Sequence, residues 1–194
     1  MVGYKVVLAV LASAIALTSF IPYFRDMYSG KTKPHAFSWL VWAVILSIGF
    51  AAQVVEKGGA GAWITGSTAF LCFVIFGCAL FKGERDFSRF DWLCLLGAGI
   101  AIVLWRVTND ALIAVVLVVL IDALGYLPTF RKAYYKPHED TITTFGLNGL
   151  GFFVSLFALE TYTVTTWLYP VSLVVTASLF VLMVLIRRKQ LARA

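Results

Sequence analysis

Charge is scarce in this 194-residue chain, where Asp, Glu, Lys and Arg together make up 13% of the residues. Hydrophobic residues make up 61%, and the mean hydropathy is +0.89. A soluble domain of this length exposes too much surface to hide so much apolar side chain. Soluble enzymes and soluble binding modules are therefore excluded, and the chain reads as an all-α membrane protein. Histidine is rarer still. His35 and His138 fall in loops with no cluster of metal-ligand spacing around them, so no metal site is expected. Cys72, Cys78 and Cys94 sit inside apolar runs, are odd in number and lack a C-x-x-C spacing, which reads as packing thiols. No Gly-rich phosphate loop is present. The last apolar run has no lysine for a retinal Schiff base before Arg187-Arg188-Lys189, and no apolar run carries a histidine for intramembrane proteolysis. The chain is expected not to be an enzyme and to need no cofactor.

What is present is a series of apolar runs. A hydrocarbon core of about 30 Å needs about 20 residues of helix. Seven runs are read as spans: Tyr4–Phe24, Ser38–Val55, Ala60–Phe81, Phe90–Val107, Ala111–Phe130, Thr141–Leu159 and Thr163–Ile186. Backbone amides in lipid need partners within their own segment, so these are helices and not open sheet. The first run contains Ala12-Ser13-Ala14, which imitates a signal-peptide cleavage site, but it continues through Ile21 and reads as a span. A net charge of +6 would point a soluble protein towards nucleic acid. Here the charges fall in the short gaps, and topology accounts for them without a nucleic-acid partner. Lys5, Lys57 and Arg106 fall on one side; all the other basic residues, of 16 in all, fall on the opposite side. The positive-inside rule places the N-terminus outside and the C-terminus in the cytoplasm. The short loops suggest a bacterial inner (plasma) membrane.

The chain also repeats itself. Pro22-x-Phe24-Arg25 returns 106 residues later as Pro128-x-Phe130-Arg131. Lys33-Pro34-His35 returns 103 later as Lys136-Pro137-His138, and Ser38 and Thr141, each a candidate N-cap, keep that spacing. Trp63 and Trp167 pair at 104. The division is therefore a first three-helix repeat over residues 1–87, a linker helix over 88–109 and a second three-helix repeat over 110–194. A single linking span gives two three-helix units the same orientation, so the repeats are expected to be parallel, with a binding site at mid-depth between them.

Those proline loops, the aromatic and basic residues after them and the 3+1+3 helix count resemble the PQ-loop and SWEET superfamily of small membrane transporters, over nearly the whole chain. The family's Pro-Gln stands here as Pro22-Tyr23 and Pro128-Thr129. The pocket Asn that sugar-transporting members carry in each third helix has no counterpart; the nearest polar residues are Ser67, Thr68, Ser172 and Thr176. The resemblance implies a transporter or facilitator of a small polar solute of the sugar, amino acid or nucleoside class, working by alternating access between two triple-helix bundles. Nicotinamide riboside transporters share the 3+1+3 arrangement, and an aromatic cavity would suit a nucleoside. The alternative is a non-transporting membrane receptor or sorting protein of the same fold, using its cytoplasmic Arg and Lys loops as the partner surface.

Within the spans, Asp122 is the sharpest site candidate. An ionised Asp facing lipid at mid-bilayer costs about 2.5–3.5 kcal/mol, so it must face a cavity, a partner or a proton. It reads either as a proton- or substrate-coupling carboxyl or as a hydrogen-bonded structural one. Position 16 of the first repeat is Ala, so any such role belongs to one half only. Tyr126 lies one turn further on the same face. Asn148 sits among Gly146, Gly149 and Gly151, which allow close approach of a helix or a ligand. Trp42 is the tryptophan deep enough to flank a cavity; Trp39, Trp63, Trp92, Trp105 and Trp167 read as an interfacial belt. Asp122, Asn148, Trp42 and Tyr126 are thus the expected substrate-binding residues. Pro22 and Pro128, each removing a helix hydrogen bond, are the expected hinges. Tyr169-Pro170 reads as an outer gate or a static kink. Arg25, Arg131, Lys33 and Lys136 suit contact with anionic lipid headgroups. The expected partners are a solute, membrane lipid and protons, with homo-oligomerisation left open.

Overall fold

The computed structural model describes residues 3–30, 34, 36–82, 89–135, 137 and 142–192. Every regular element among them is helical. The first helix is broken, with α1 (Tyr4–Ser19) followed by a turn at Phe20 and then α2 (Ile21–Tyr28). After it come α3 (Ala36–Val55), a 3-10 turn (Gly59–Ala62) that runs into α4 (Trp63–Lys82), and then α5 (Arg89–Thr108), α6 (Ala111–Tyr135), α7 (Ile142–Leu156) and α8 (Val164–Leu191). Five segments are long and apolar enough to cross a membrane: Tyr4–Tyr28, Ala36–Val55, Gly59–Phe81, Ala111–Tyr135 and Val164–Leu191. Trp92–Thr108 and Ile142–Leu156 are shorter apolar helices. The expected seven long spans are therefore five long ones and two short ones. At 1.5 Å per residue the 15 residues of α7 rise about 22 Å, less than the hydrocarbon core.

The surface of this bundle is apolar and its interior is built from small side chains. On α1, Ala9, Ala12 and Ala16 are buried while Val7, Val10 and Leu11 face outward. That is the order expected in lipid, where outward leucine and valine cost nothing and small inward residues let helix backbones approach. Gly151 of α7 shows the consequence. A Cβ there would lie 2.9 Å from the Ala12 carbonyl oxygen and 3.3 Å from the Ala16 Cβ, so α1 and α7 meet nearly backbone to backbone.

The packing has a regular pattern. α4 lies against both α1 and α3; α8 lies against both α6 and α7. Between these groups, α1 packs on α7 and α3 packs on α6, with lesser contacts of α4 on α7 and α3 on α8. Exchanging α1, α3 and α4 for α6, α7 and α8 reproduces each of these pairs. α5 packs on α6 and α3 at the side.

The proline copies behave differently. Pro22 falls in the first turn of α2, where its missing N–H is one the helix does not use, and the chain breaks just before it. α6 runs without interruption through position 128. Ser38 does not cap α3, because the helix starts two residues earlier at Ala36. Thr141, His35, His138, Lys31, Lys33 and Lys136 lie outside the described residues.

The end of the bundle away from the proline loops is tightly closed. α3 stops in a C-terminal motif in which the Gly58 N–H reaches the Gln53 carbonyl (2.7 Å) and Lys57 takes a left-handed φ of 56°. Glu160 donates its N–H to the Gly58 carbonyl (3.0 Å), and Lys5 Nζ donates to the Leu159 carbonyl (2.7 Å). α8 begins with a capping box between Thr163 and Thr166. At the opposite end, Arg187 Nε donates to the Tyr134 carbonyl (3.1 Å) and Arg188 Nε to the Pro137 carbonyl (2.9 Å), so these two basic residues tie α8 to the end of α6.

Candidate functional site

Five helices and the α1–α2 break enclose a cavity of about 320 Å³. Each helix contributes residues at helical spacing, so that one face points inward. α3 contributes Trp39, Trp42 and Leu46; α4 contributes Thr68 and Cys72; α6 contributes Asp122 and Tyr126. α7 supplies Thr144, Phe145, Asn148 and Phe152, and α8 supplies Tyr169, Leu173 and Ala177. Phe20, Tyr23 and Asp26 line the side next to the helix break, and α5 contributes nothing. Asp122, Asn148, Trp42 and Tyr126, the four residues picked out by sequence, all line this one space.

The break at Phe20 and the glycines explain how these side chains reach it. Restarting the helix at Ile21 places Tyr23 beside α3, where Trp39 Nε1 donates to the Tyr23 hydroxyl (3.0 Å). That bond, and the ring contact with Trp42 at 5.3 Å, draw Trp39 inward. Trp39 is thus buried and not part of an interfacial belt, whereas Trp63 and Trp92 are exposed. Gly49 leaves room on α3 for the Tyr169 ring, which a Cβ there would meet at 2.6 Å. Tyr169 is consequently buried at the cavity wall. Gly151 holds α7 against α1, and Gly149, whose Cβ would meet the Ala177 Cβ at 2.8 Å, holds it against α8. Asn148 lies between these two approaches. Gly146 has only an ordinary contact, with Val181 at 3.9 Å.

Aromatic rings form a chain across the cavity. Trp39 meets Tyr23 at 5.0 Å and Trp42 at 5.3 Å; Trp42 meets Tyr126 at 6.2 Å; Tyr126 meets Phe145 at 6.3 Å, and Phe145 meets Phe180 at 4.2 Å. The arrangements are tilted or edge-on, as ring quadrupoles favour.

Polar groups share the lining with the rings. Asp122, Cys72, Tyr126 and Tyr169 all lie within electrostatic reach of one another. Among the described residues, Asp122 and Asn148 have no hydrogen-bond or ion-pair partner. The Thr68 and Tyr169 hydroxyls are likewise buried without one. Buried polar groups are normally paired within the protein, so several donors and acceptors directed at one space form a surface suited to a small polar guest. Thr68, Cys72, Tyr169 and Trp39 were not singled out as binding residues by sequence. The signal that could have found them is the i, i+4 spacing of Thr68 and Cys72, which repeats that of Asp122 and Tyr126.

The cavity extends towards the proline-loop end. Asp26 on α2 and Thr144, near the start of α7, line that side. Ile48, Gln53, Ile64, Thr65 and Thr166 are buried and are not among the residues that line it. No group of three or more His, Cys, Asp or Glu residues with metal-binding geometry occurs among the described residues.

Comparison of the chain with protein-family models, with curated proteins and with solved structures yields no significant match.

Proposed function

We propose that this chain is an integral membrane transporter or facilitator of a small polar solute, built as two parallel three-helix repeats, α1–α4 and α6–α8, joined by α5. The observation that carries the reading is the cavity between these two groups of helices, with the unpartnered Thr68 and Tyr169 hydroxyls in its lining. The exchange pattern of helix contacts supports the repeat, as do the matched Pro-x-Phe-Arg segments. α5 packs at the side without touching the cavity, as a linker would. The resemblance to PQ-loop and SWEET proteins belongs to this reading.

In this scheme the N-terminus is outside and the Arg-rich loops are cytoplasmic. The cavity faces the cytoplasm, and the contacts of Glu160 with Gly58, Lys5 with Leu159 and Gln53 with Thr166 close the outer end. The solute sits among Trp42, Asp122, Tyr126 and Asn148. Alternating access then requires the outer contacts to part while the aromatic chain closes below the solute. The break before Pro22 is the main hinge, with Pro128 as its lesser counterpart in an unbroken helix. Proton coupling, where present, runs through Asp122.

The test is uptake of labelled sugars, amino acids and nucleosides into proteoliposomes of purified protein, with and without an inward proton gradient. Uptake of one class, reduced in Asp122→Asn and Asn148→Leu, is the expected result. Gradient-dependent uptake that becomes gradient-independent in Asp122→Asn assigns coupling to that residue. Failure of the folded protein to take up any class replaces transport with the receptor reading.

A further inference from the structure

The cavity is acidic on a basic protein. The chain carries a net charge of +6, yet the charged residues among the described cavity lining are Asp26 near the mouth, paired with Arg25 (3.2 Å), and Asp122 deeper in, which is unpaired. Asp122 is 4% exposed and makes no described hydrogen bond or ion pair. The Tyr169 hydroxyl (residue 1% exposed) and the Thr68 hydroxyl (residue 4% exposed) border the same space without partners. A carboxylate taken out of water is costly unless a positive group comes with it. The described lining provides no such group, so the guest is the natural source of one.

The walls point the same way. Trp42 and Tyr126 stand 6.2 Å apart over the Asp122 side of α6, and Phe145 continues the wall. The Trp42 indole nitrogen would lie 4.0 Å from a Cβ at Gly125, one turn from Asp122. Aromatic faces attract cations through their quadrupoles, tryptophan most strongly, and the attraction grows when water is excluded. An anion would be repelled by the unpaired Asp122 carboxylate, since Arg25 already neutralises Asp26. A sugar could donate hydroxyls to the carboxylate but would leave it without a counter-ion. The volume, about 320 Å³, is room for roughly ten water molecules and thus for one small metabolite.

We propose that the ligand of this cavity is a small organic monocation, an amine or quaternary ammonium on an apolar or aromatic body, with its charge between Asp122 and the Trp42 and Tyr126 rings and its polar end at Asn148. The proposal rests on the reading of this cavity as a solute site and specifies its chemistry. It also accounts for the asymmetry of the repeats: the position matching Asp122 is Ala16, fully buried against α7, so one half supplies the charge and the other the packing.

The test uses pairs of cation and uncharged isostere: choline with 3,3-dimethyl-1-butanol, and tyramine with 4-propylphenol. Binding to the full-length chain in lipid nanodiscs is measured by titration calorimetry and tryptophan fluorescence. The expected result is that at least one cation binds about tenfold or more tightly than its neutral partner, and that Asp122→Asn abolishes this preference while Asp122→Glu retains it. Trp42→Ala should weaken cation binding by about 2- to 30-fold, and it carries the test if Asp122→Asn does not fold. Equal binding of the neutral isosteres, a preference that survives Asp122→Asn, or failure of both cations to bind the folded protein overturns the proposal; equal binding is what a neutral, hydrogen-bonded Asp122 would give. Uptake separates this from the broader reading. Cation binding without uptake leaves the site chemistry standing and removes transport; uptake of a neutral solute with no cation binding does the reverse.

Discussion

Gln53 and Thr166, 113 residues apart in sequence, are joined in the closed end of the bundle: Gln53 Nε2 donates to the Thr166 carbonyl oxygen across 2.9 Å. That carbonyl is the one Pro170 leaves free. Residue 170 of a helix ordinarily donates to residue 166, and proline has no N–H to donate. A buried amide on α3 thus fills a vacancy in the hydrogen-bond ladder of α8, and the two halves of the chain are held together where no water would serve instead.

Replacing Gln53 by Leu should therefore lower stability by about 0.6–1.7 kcal/mol, the range of interhelical hydrogen bonds in membranes. The loss should be smaller in a Pro170→Ala background, because an alanine N–H reaches the Thr166 carbonyl itself. Thermal unfolding in detergent of the two single variants and the double variant measures this coupling. Strict additivity would show that the bond does not depend on the vacancy Pro170 leaves.

Gly151 should tolerate no side chain. A Cβ would meet the Ala12 carbonyl oxygen at 2.9 Å, and that atom is backbone and cannot swing away. Gly151→Val should cost about 1–3 kcal/mol, as overpacking does, and should part α1 from α7. Gly146→Ala, facing only Val181 at 3.9 Å, should change the melting temperature little. Equal effects of the two variants would refute this account of the helix contact.

Asn148 should matter to binding and not to folding. It has no described partner to lose, so Asn148→Leu should leave the melting temperature unchanged or raise it. Solute affinity should fall by about 5- to 150-fold, corresponding to the roughly 1–3 kcal/mol cost of an unmet hydrogen bond. A fall in stability with unchanged affinity would make Asn148 a structural residue.

Thiol labelling should find one end of the cavity open. On a background in which Cys72, Cys78 and Cys94 are replaced by Ser, Thr144→Cys should react with a membrane-impermeant methanethiosulfonate applied from the side bearing Arg131. Thr165→Cys, buried near the start of α8, should not react from either side. The opposite pattern would mean that the cavity opens at the other end.

Sequence pattern led to much of this architecture, and its failures have identifiable causes. Helix positions follow from hydropathy, because each run is local and each backbone must satisfy itself. Asp122 and Tyr126 were legible because a carboxylate in an apolar run stands out and a residue four positions on shares its face. The break at Phe20 was not legible, since Pro22 and Pro128 stand in the same local motif and only the first helix is interrupted. Trp39 looked like an interfacial residue until Tyr23 accepted its indole N–H. The place of Tyr169 in the cavity wall was not legible either, since it depends on Gly49, 120 positions earlier, leaving room for its ring.

By itself, the sequence determined that this chain is apolar and helical, that it repeats a proline-aromatic-basic segment, and that it carries one acidic residue deep in a span. Those properties are written in composition and in spacing along a single helix. Only the tertiary structure decided that Asp122 from α6, Asn148 from α7, Trp42 from α3 and Thr68 from α4 border one space, and that Gln53 reaches the Thr166 carbonyl. Such convergence depends on which helix faces lie opposite one another. That is set by close approaches between small residues far apart in the chain, and no local period records them.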